Sequence, residues 1–163
     1  MIPNHPARLA LLGLLALPSC AAEEARLAWP GDTDSWPVVG LTHALQYEAG
    51  GQTTFNLVRM DPAAHARYLQ TGRFPIGSML ELEIRRSRDD AEPARSGRFA
   101  GEVLSRSLHV KDERAGPGSW TFYSRSGGTG IPLPRSAECY GCHATHAAHD
   151  QVFTQFYPGL GRR

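Results

Sequence analysis

The feature that most constrains this chain is Cys139-Tyr140-Gly141-Cys142-His143, a CxxCH that ends 20 residues before the C-terminal Arg163. In a haem-binding CxxCH each thiol adds across one vinyl group, and the short helical turn places the histidine beneath the ring as proximal iron ligand. Two thioethers would then tie the cofactor to the fold. Three other readings compete: a thioredoxin-like redox pair, half of a zinc site, and a chance spacing. A redox pair is disfavoured because no βαβ pattern surrounds the motif. Zinc requires more ligands, for which His146 and His149 are the nearby candidates. The context of the motif favours covalent haem c, with Cys139 and Cys142 as attachment points and His143 as the iron ligand.

That context is the N-terminus. Met1 to Arg8 ends in one positive charge, Leu9 to Leu17 is a nine-residue apolar run, and Pro18-Ser19-Cys20-Ala21-Ala22 follows. As a helix the run spans only ~14 Å, under half of a ~30 Å hydrocarbon core, so it reads as a secretory leader rather than an anchor. Leu17-Pro18-Ser19-Cys20 also resembles a bacterial lipobox, with Pro18 an unusual member. Two processing outcomes stay open: lipidation of Cys20, or cleavage near Ala22 with Cys20 discarded. The expected location is the periplasm, with an outer-membrane lipid anchor in the first case. Either way Cys20 leaves the thiol count, and the pair in the motif remains.

After residues 1–22 as leader, residues 23–35 read as a Pro-rich N-terminal arm containing Trp29, and residues 36–163 as one domain. The 163 residues comprise 41% hydrophobic and 20% charged residues with 17 Gly and 12 Pro, a balance that suits a compact domain rich in turns and excludes coiled coil or collagen. Lys+Arg is 17 against Asp+Glu 16, so no charge excess points to nucleic acid. Lys111 is the one lysine.

Four strands are legible. Thr53 to Met60 alternates with Phe55, Leu57 and Arg59 on one face, and Ser78 to Arg86 sets Leu80, Leu82 and Ile84, its buried side, against Met79, Glu81 and Glu83. Phe99 to Val110 reads as a third strand with a bulge near Ser105 to Ser107, and Ser119 to Ser124 as a short aromatic fourth. Between the first two, Asp61-Pro62 supplies an N-cap and first-turn proline for a helix over Ala63 to Thr71 that stops at Gly72. Arg85 to Arg98 reads as a solvated charged loop, Lys111 to Gly118 as a turn and Gly127 to Pro134 as a Gly/Pro loop. Hairpin-length connections predict an α+β fold: a mostly antiparallel sheet, a few helices, and haem attached at a C-terminal CxxCH helix.

The motif with its flanks, Leu133-Pro134 through His143 to the segment Asp150-Gln151-Val152-Phe153-Thr154-Gln155-Phe156-Tyr157-Pro158, resembles the C-terminal signature of the cytochrome P-460 family. Upstream, Asp61-Pro62, Gly72-Arg73-Phe74-Pro75-Ile76-Gly77, Val110-Lys111-Asp112 and Ser119-Trp120-Thr121-Phe122 are similar to its successive blocks, so the resemblance covers about Trp36 to Tyr157. It implies an antiparallel β fold, a homodimer, and a five-coordinate haem with an open distal face.

Two departures stand out. Hydroxylamine-oxidising members carry a lysine cross-linked to the haem rim on the strand after the FPxG turn; Leu82 stands there, and Lys111 falls where other members have an ordinary surface lysine. The family's distal glutamate aligns near Ser107, with Glu102 out of register. Without cross-link and base, hydroxylamine oxidation loses its electronic tuning and its proton acceptor. The chain then resembles the related cytochrome c′-beta proteins, which bind nitric oxide or carbon monoxide beside an apolar distal wall.

The leading expectation is capture of nitric oxide or a similar small nitrogen-oxide ligand. The alternatives are a haem oxidoreductase acting on hydroxylamine, peroxide or nitric oxide, and a simple electron carrier. No redox partner is identified. Leu82, Leu80, Met79, Phe99 and Leu108 are the distal-wall candidates, each with ordinary core as its other reading. Met60 and Met79 are candidate sixth ligands. His109 is of interest but reads first as a surface strand residue. Arg135 is a candidate propionate partner, His146 a neighbour of one, and Asp150 a candidate anchor of the proximal loop or of the His143 ring. Phe122, Phe153, Phe156 and Tyr157 read as core aromatics at the haem edge, and His43 and His65 carry no functional signal.

Overall fold

Period-2 patterning does generate a sheet, and it is larger than the sequence shows. The computed structural model describes residues 26–45, 52–90, 92–93, 96–112, 116 and 119–161; the leader and Cys20 lie outside them. The strands are β1 (Leu27–Ala28), β2 (Val38–His43), β3 (Thr54–Met60), β4 (Met79–Arg88), β5 (Phe99–Lys111), β6 (Trp120–Ser126) and β7 (Thr129–Pro132), with helices α1 (Pro62–Thr71) and α2 (Glu138–His146). They form one antiparallel sheet in the order β1-β7-β6-β5-β4-β3-β2. The α+β architecture is therefore the one expected, and no helix among the described residues is long and apolar enough to cross a membrane.

Three strands were hidden. Val38–His43 is the edge strand β2, whose alternation is broken by a register shift between Val38 and Gly40. The expected Gly/Pro loop instead contains the Gly127-Gly128 hairpin turn and β7, and the N-terminal arm contributes β1, paired with β7 through Leu27 and Ala28. The charged loop is shorter than expected because β4 continues to Arg88, and the first register shift against it falls at Leu104, one residue before the expected bulge.

Direct pairing places Thr42, Asn56, Ile84 and Ser105 on one face with Gly40, Val58, Leu82 and Ser107, then Met60, Leu80, His109 and Phe122. This face carries the main core: Val58, Met60, Leu80, Trp120 and Phe122 pack against Tyr68 of α1, Phe74, Val152 and Leu160. Helix α1 forms as its caps dictate, with Asp61 Oδ1 accepting from the Ala64 amide at 2.8 Å and Gly72 in the left-handed region.

The opposite face is buried as well, which alternation alone does not reveal. Between β1 at one edge and β2 at the other, residues 29–37 cross it, bringing Trp29 and Trp36 onto Leu108, Tyr123, Met79 and Val110. Beneath this crossing Glu81 and Glu83 are fully buried. Thr33 donates to Glu81 at 2.8 Å, Arg106 lies 3.3 Å from Glu81 and 2.8 Å from Asp34, and Arg59 lies 3.5 Å from both glutamates. Glu83 also meets Arg106 and Arg85. Three carboxylates thus face three guanidiniums, the pairing that burial of charge demands.

Candidate functional site

Helix α2 holds Cys139, Cys142 and His143 at i, i+3 and i+4, so the three project on one side. No residue of α2 is fully buried, and Tyr140 is what fixes it. Its ring packs edge-on against Phe122 with centroids 4.6 Å apart, its hydroxyl accepts from the Phe122 amide at 3.2 Å, and it donates to the Leu133 carbonyl at 3.4 Å. Arg135 lies over the same ring at 4.6 Å and donates to the Trp120 carbonyl and to Thr121. Arg135 therefore locks the start of α2 to β6. Tyr140 is the site residue that sequence reading passed over; its signal is an aromatic one position after the first motif cysteine.

Both cysteines are free thiols, Cys139 exposed and Cys142 half-buried. Burial, with the charge of Glu138 and the neighbouring Cys139, pushes the Cys142 thiol up, so it stays protonated near neutrality. Nδ1–H of His143 donates to the Gln151 carbonyl at 2.7 Å. This bond fixes the tautomer and leaves Nε2 as the imidazole's ligating atom. The ring is enclosed by Phe153 at 4.6 Å, Phe122 at 4.7 Å and His109 at 4.9 Å between centroids. Burial lowers the His143 pKa against the opposing Gln151 bond, and burial with the charge of His143 holds His109 well below its ordinary value. Both imidazoles are neutral at pH 7.

His143 opens onto a cavity of about 210 Å³, below the roughly 300–1,000 Å³ of drug-sized ligand pockets. Its floor is the sheet: Gly40 and Thr42 of β2, Asn56 and Val58 of β3, Leu82 of β4 and His109 of β5; Leu45, Phe153, Phe156 and Tyr157 complete it. The Tyr157 ring fits because position 40 is glycine, where a Cβ would come within 2.4 Å of it.

Of the distal-wall candidates only Leu82 lines this cavity. Leu80 is core, Met79 and Leu108 pack on the opposite face, and Phe99 is exposed. Met60 is fully buried in the core, so neither candidate thioether reaches the cavity. The surface reading of His109 is overturned, since its strand alternation turns it inward opposite Phe122. Ser107 pairs directly with Leu82, so the two departures from the family pattern are neighbours on one face. The cavity is not wholly apolar: Asn56, whose side-chain oxygen accepts from Thr54 at 3.1 Å, and Thr42 stand at its floor.

His146 is exposed, and His149 belongs to the turn behind the site. His43 bonds Ser87 and His65 bonds the Gly159 carbonyl, both structural contacts. Asp150 does anchor the proximal loop, though not through the His143 ring: its carbonyl accepts from the Trp120 indole at 2.8 Å and its carboxylate pairs with Lys111. Lys111 is accordingly not an ordinary surface lysine, its side chain being only 11% exposed.

A family model described as Cytochrome P460 matches residues 30–154. The chain belongs to the cytochrome P460 family. Membership makes it a haem protein. No curated protein sequence matches the chain. The residues fit the group by the chemistry of the donor set: two thiols and a tautomer-fixed imidazole on one helix face, the imidazole opening onto a cavity rimmed by Phe153, Phe156 and Tyr157. Among the described residues, no third and fourth ligand gather at the motif for zinc; the one cluster close enough for a cation, Asp34, Glu81 and Glu83, is interleaved with Arg59 and Arg106.

Proposed function

We propose that the protein is an exported c-type cytochrome whose haem, attached through Cys139 and Cys142 and ligated by His143, captures nitric oxide or a similar small nitrogen-oxide ligand. The observation that carries this reading is the composition of the cavity floor. Leu82 lines the cavity and Ser107 pairs with it, the two positions where the family resemblance puts the cross-linking lysine and the distal glutamate of hydroxylamine-oxidising members, so those two groups are replaced here. When bound, the haem would supply an iron able to bind a small ligand.

The chain's residues do the rest. Gln151 orients the His143 ring, and Val58, Leu82, Phe153 and Phe156 form the apolar part of the cavity lining. His109 lies in edge contact with the His143 ring, with centroids 4.9 Å apart, and would help hold that imidazole in place. Export follows from the leader at residues 1–22, and a homodimer from the family resemblance. Asn56 and Thr42 favour a second reading, turnover of a polar ligand such as peroxide, because their hydrogen-bonding groups would stabilise developing charge.

Intact mass and the spectrum of the reduced protein test the proposal together. The expected result is one covalent haem, lost in the Cys139→Ser/Cys142→Ser variant, with ordinary high-spin haem c bands. A mass without haem overturns the cofactor, sharp low-spin bands indicate an electron carrier, and a strongly red-shifted Soret restores the cross-linked enzyme.

A further inference from the structure

The turn that holds the proximal ligand is strained. His149 and Val152 close it, the Val152 amide donating to the His149 carbonyl at 2.8 Å, and both central residues are non-glycine in the left-handed region, Asp150 at φ 49° and Gln151 at φ 57°. Left-handed backbone is disfavoured for residues with a Cβ, and the pair persists only if the surroundings impose it. Successive left-handed residues rotate the Gln151 carbonyl toward His143, where it accepts from Nδ1–H at 2.7 Å. The strain is spent on one hydrogen bond to the metal-ligating ring.

Two restraints impose the turn. The Trp120 indole donates to the Asp150 carbonyl at 2.8 Å, and Trp120 is itself fully buried. The Lys111 ammonium pairs with the Asp150 carboxylate in a site where the side chains are 11% and 19% exposed. Lys111 cannot drift: its amide donates to Ser78 and its carbonyl accepts from Gly77, both at 2.9 Å, and Trp120 lies directly across the ladder.

We propose that Lys111 is a positioning residue for the haem's axial ligand: through Asp150 it holds the Gln151 carbonyl against His143 and so sets how strongly the imidazole donates to iron. This rests on the haem reading above. An Nδ1–H that donates to a firm acceptor makes the imidazole a stronger donor at Nε2, which favours the ferric over the ferrous state. Lysine suits the role because its ammonium delivers a point charge from the end of a strand and lies over the Trp120 ring, 5.9 Å from Nζ to the ring centroid.

The test compares Lys111→Met, Lys111→Arg and Asp150→Asn with the parent holoprotein, each first shown by mass to carry haem, so that failure of the haem reading is seen separately. Lys111→Met and Asp150→Asn should shift the reduction potential to more positive values and lower the iron–histidine stretching frequency of the ferrous protein, while Lys111→Arg restores both toward the parent. A merely structural ion pair would lower the melting temperature and leave both readouts unmoved, and that result overturns the proposal. If Lys111→Met does not fold, Asp150→Asn decides, because it keeps the backbone carbonyl that Trp120 binds.

Discussion

The two faces of this sheet solve burial in opposite ways. One buries charge: Glu81 and Glu83 lie against Arg59, Arg85 and Arg106 beneath the crossing segment and Thr33, with the exposed Asp34 at the rim. The other buries aliphatic and aromatic side chains with two neutral imidazoles, and leaves a cavity beside two free thiols. The charged network balances carboxylates against guanidiniums, although Arg59 Nη1, Glu81 Oε2 and Glu83 Oε2 are buried without a hydrogen-bond partner. The other face orients one imidazole toward a cavity, and this separates the two clusters although both are rich in titratable groups.

The comparison is broken most severely from the charged side. Glu83→Ala should cost about 3–5 kcal/mol of folding stability by chemical denaturation, because it strands buried guanidinium charge. Pairing Glu81→Leu with Arg59→Met should cost far less than the sum of the single substitutions, since removing both partners leaves no uncompensated charge; additivity would show that the network is not coupled. On the other face Leu82→Ala should cost about 2 kcal/mol, the low end for a leucine truncation because the side chain borders a cavity, while the haem content by mass stays unchanged. Loss of attached haem in that variant would show that Leu82 shapes the attachment site and not the ligand wall.

The smallest effect is acid dependence. The Arg106 hydrogen bond holds Asp34 below its ordinary value of 3.8 although burial opposes it. A carboxylate lowered in the folded state contributes stability that is present above its unfolded value and lost as pH falls through the folded one. Asp34→Asn should therefore flatten the stability–pH curve below about pH 4 and leave pH 7 haem spectra alone. A parallel curve would remove Asp34 from the network.

Why one face was legible and the other not follows from the same contrast. The alternation of Leu80, Leu82 and Ile84 identified the cavity side of β4, and the CxxCH spacing identified its chemistry. Glu81 and Glu83 read as a solvated face because their partners, Arg59 and Arg106, come from neighbouring strands in direct register, a pairing no local pattern contains. The strand β2 was hidden by its register shift, and β7 by its length of four residues with Gly130 and Pro132. His109 was misread because turning inward depends on the register of β5 against β6. The strained Asp150-Gln151 turn has no sequence mark, since neither residue is glycine. Lys111 was visible as a solitary lysine, but its partner lies 39 positions away.

The central proposal is that a haem held by His143 would bind a small nitrogen-oxide ligand at this cavity. Titration of the reduced, haem-loaded protein with nitric oxide, followed by absorption spectroscopy, tests it most directly. The account predicts saturable conversion from high-spin bands to those of a nitric oxide complex, one equivalent per chain. Spectra that stay unchanged with excess nitric oxide would contradict it.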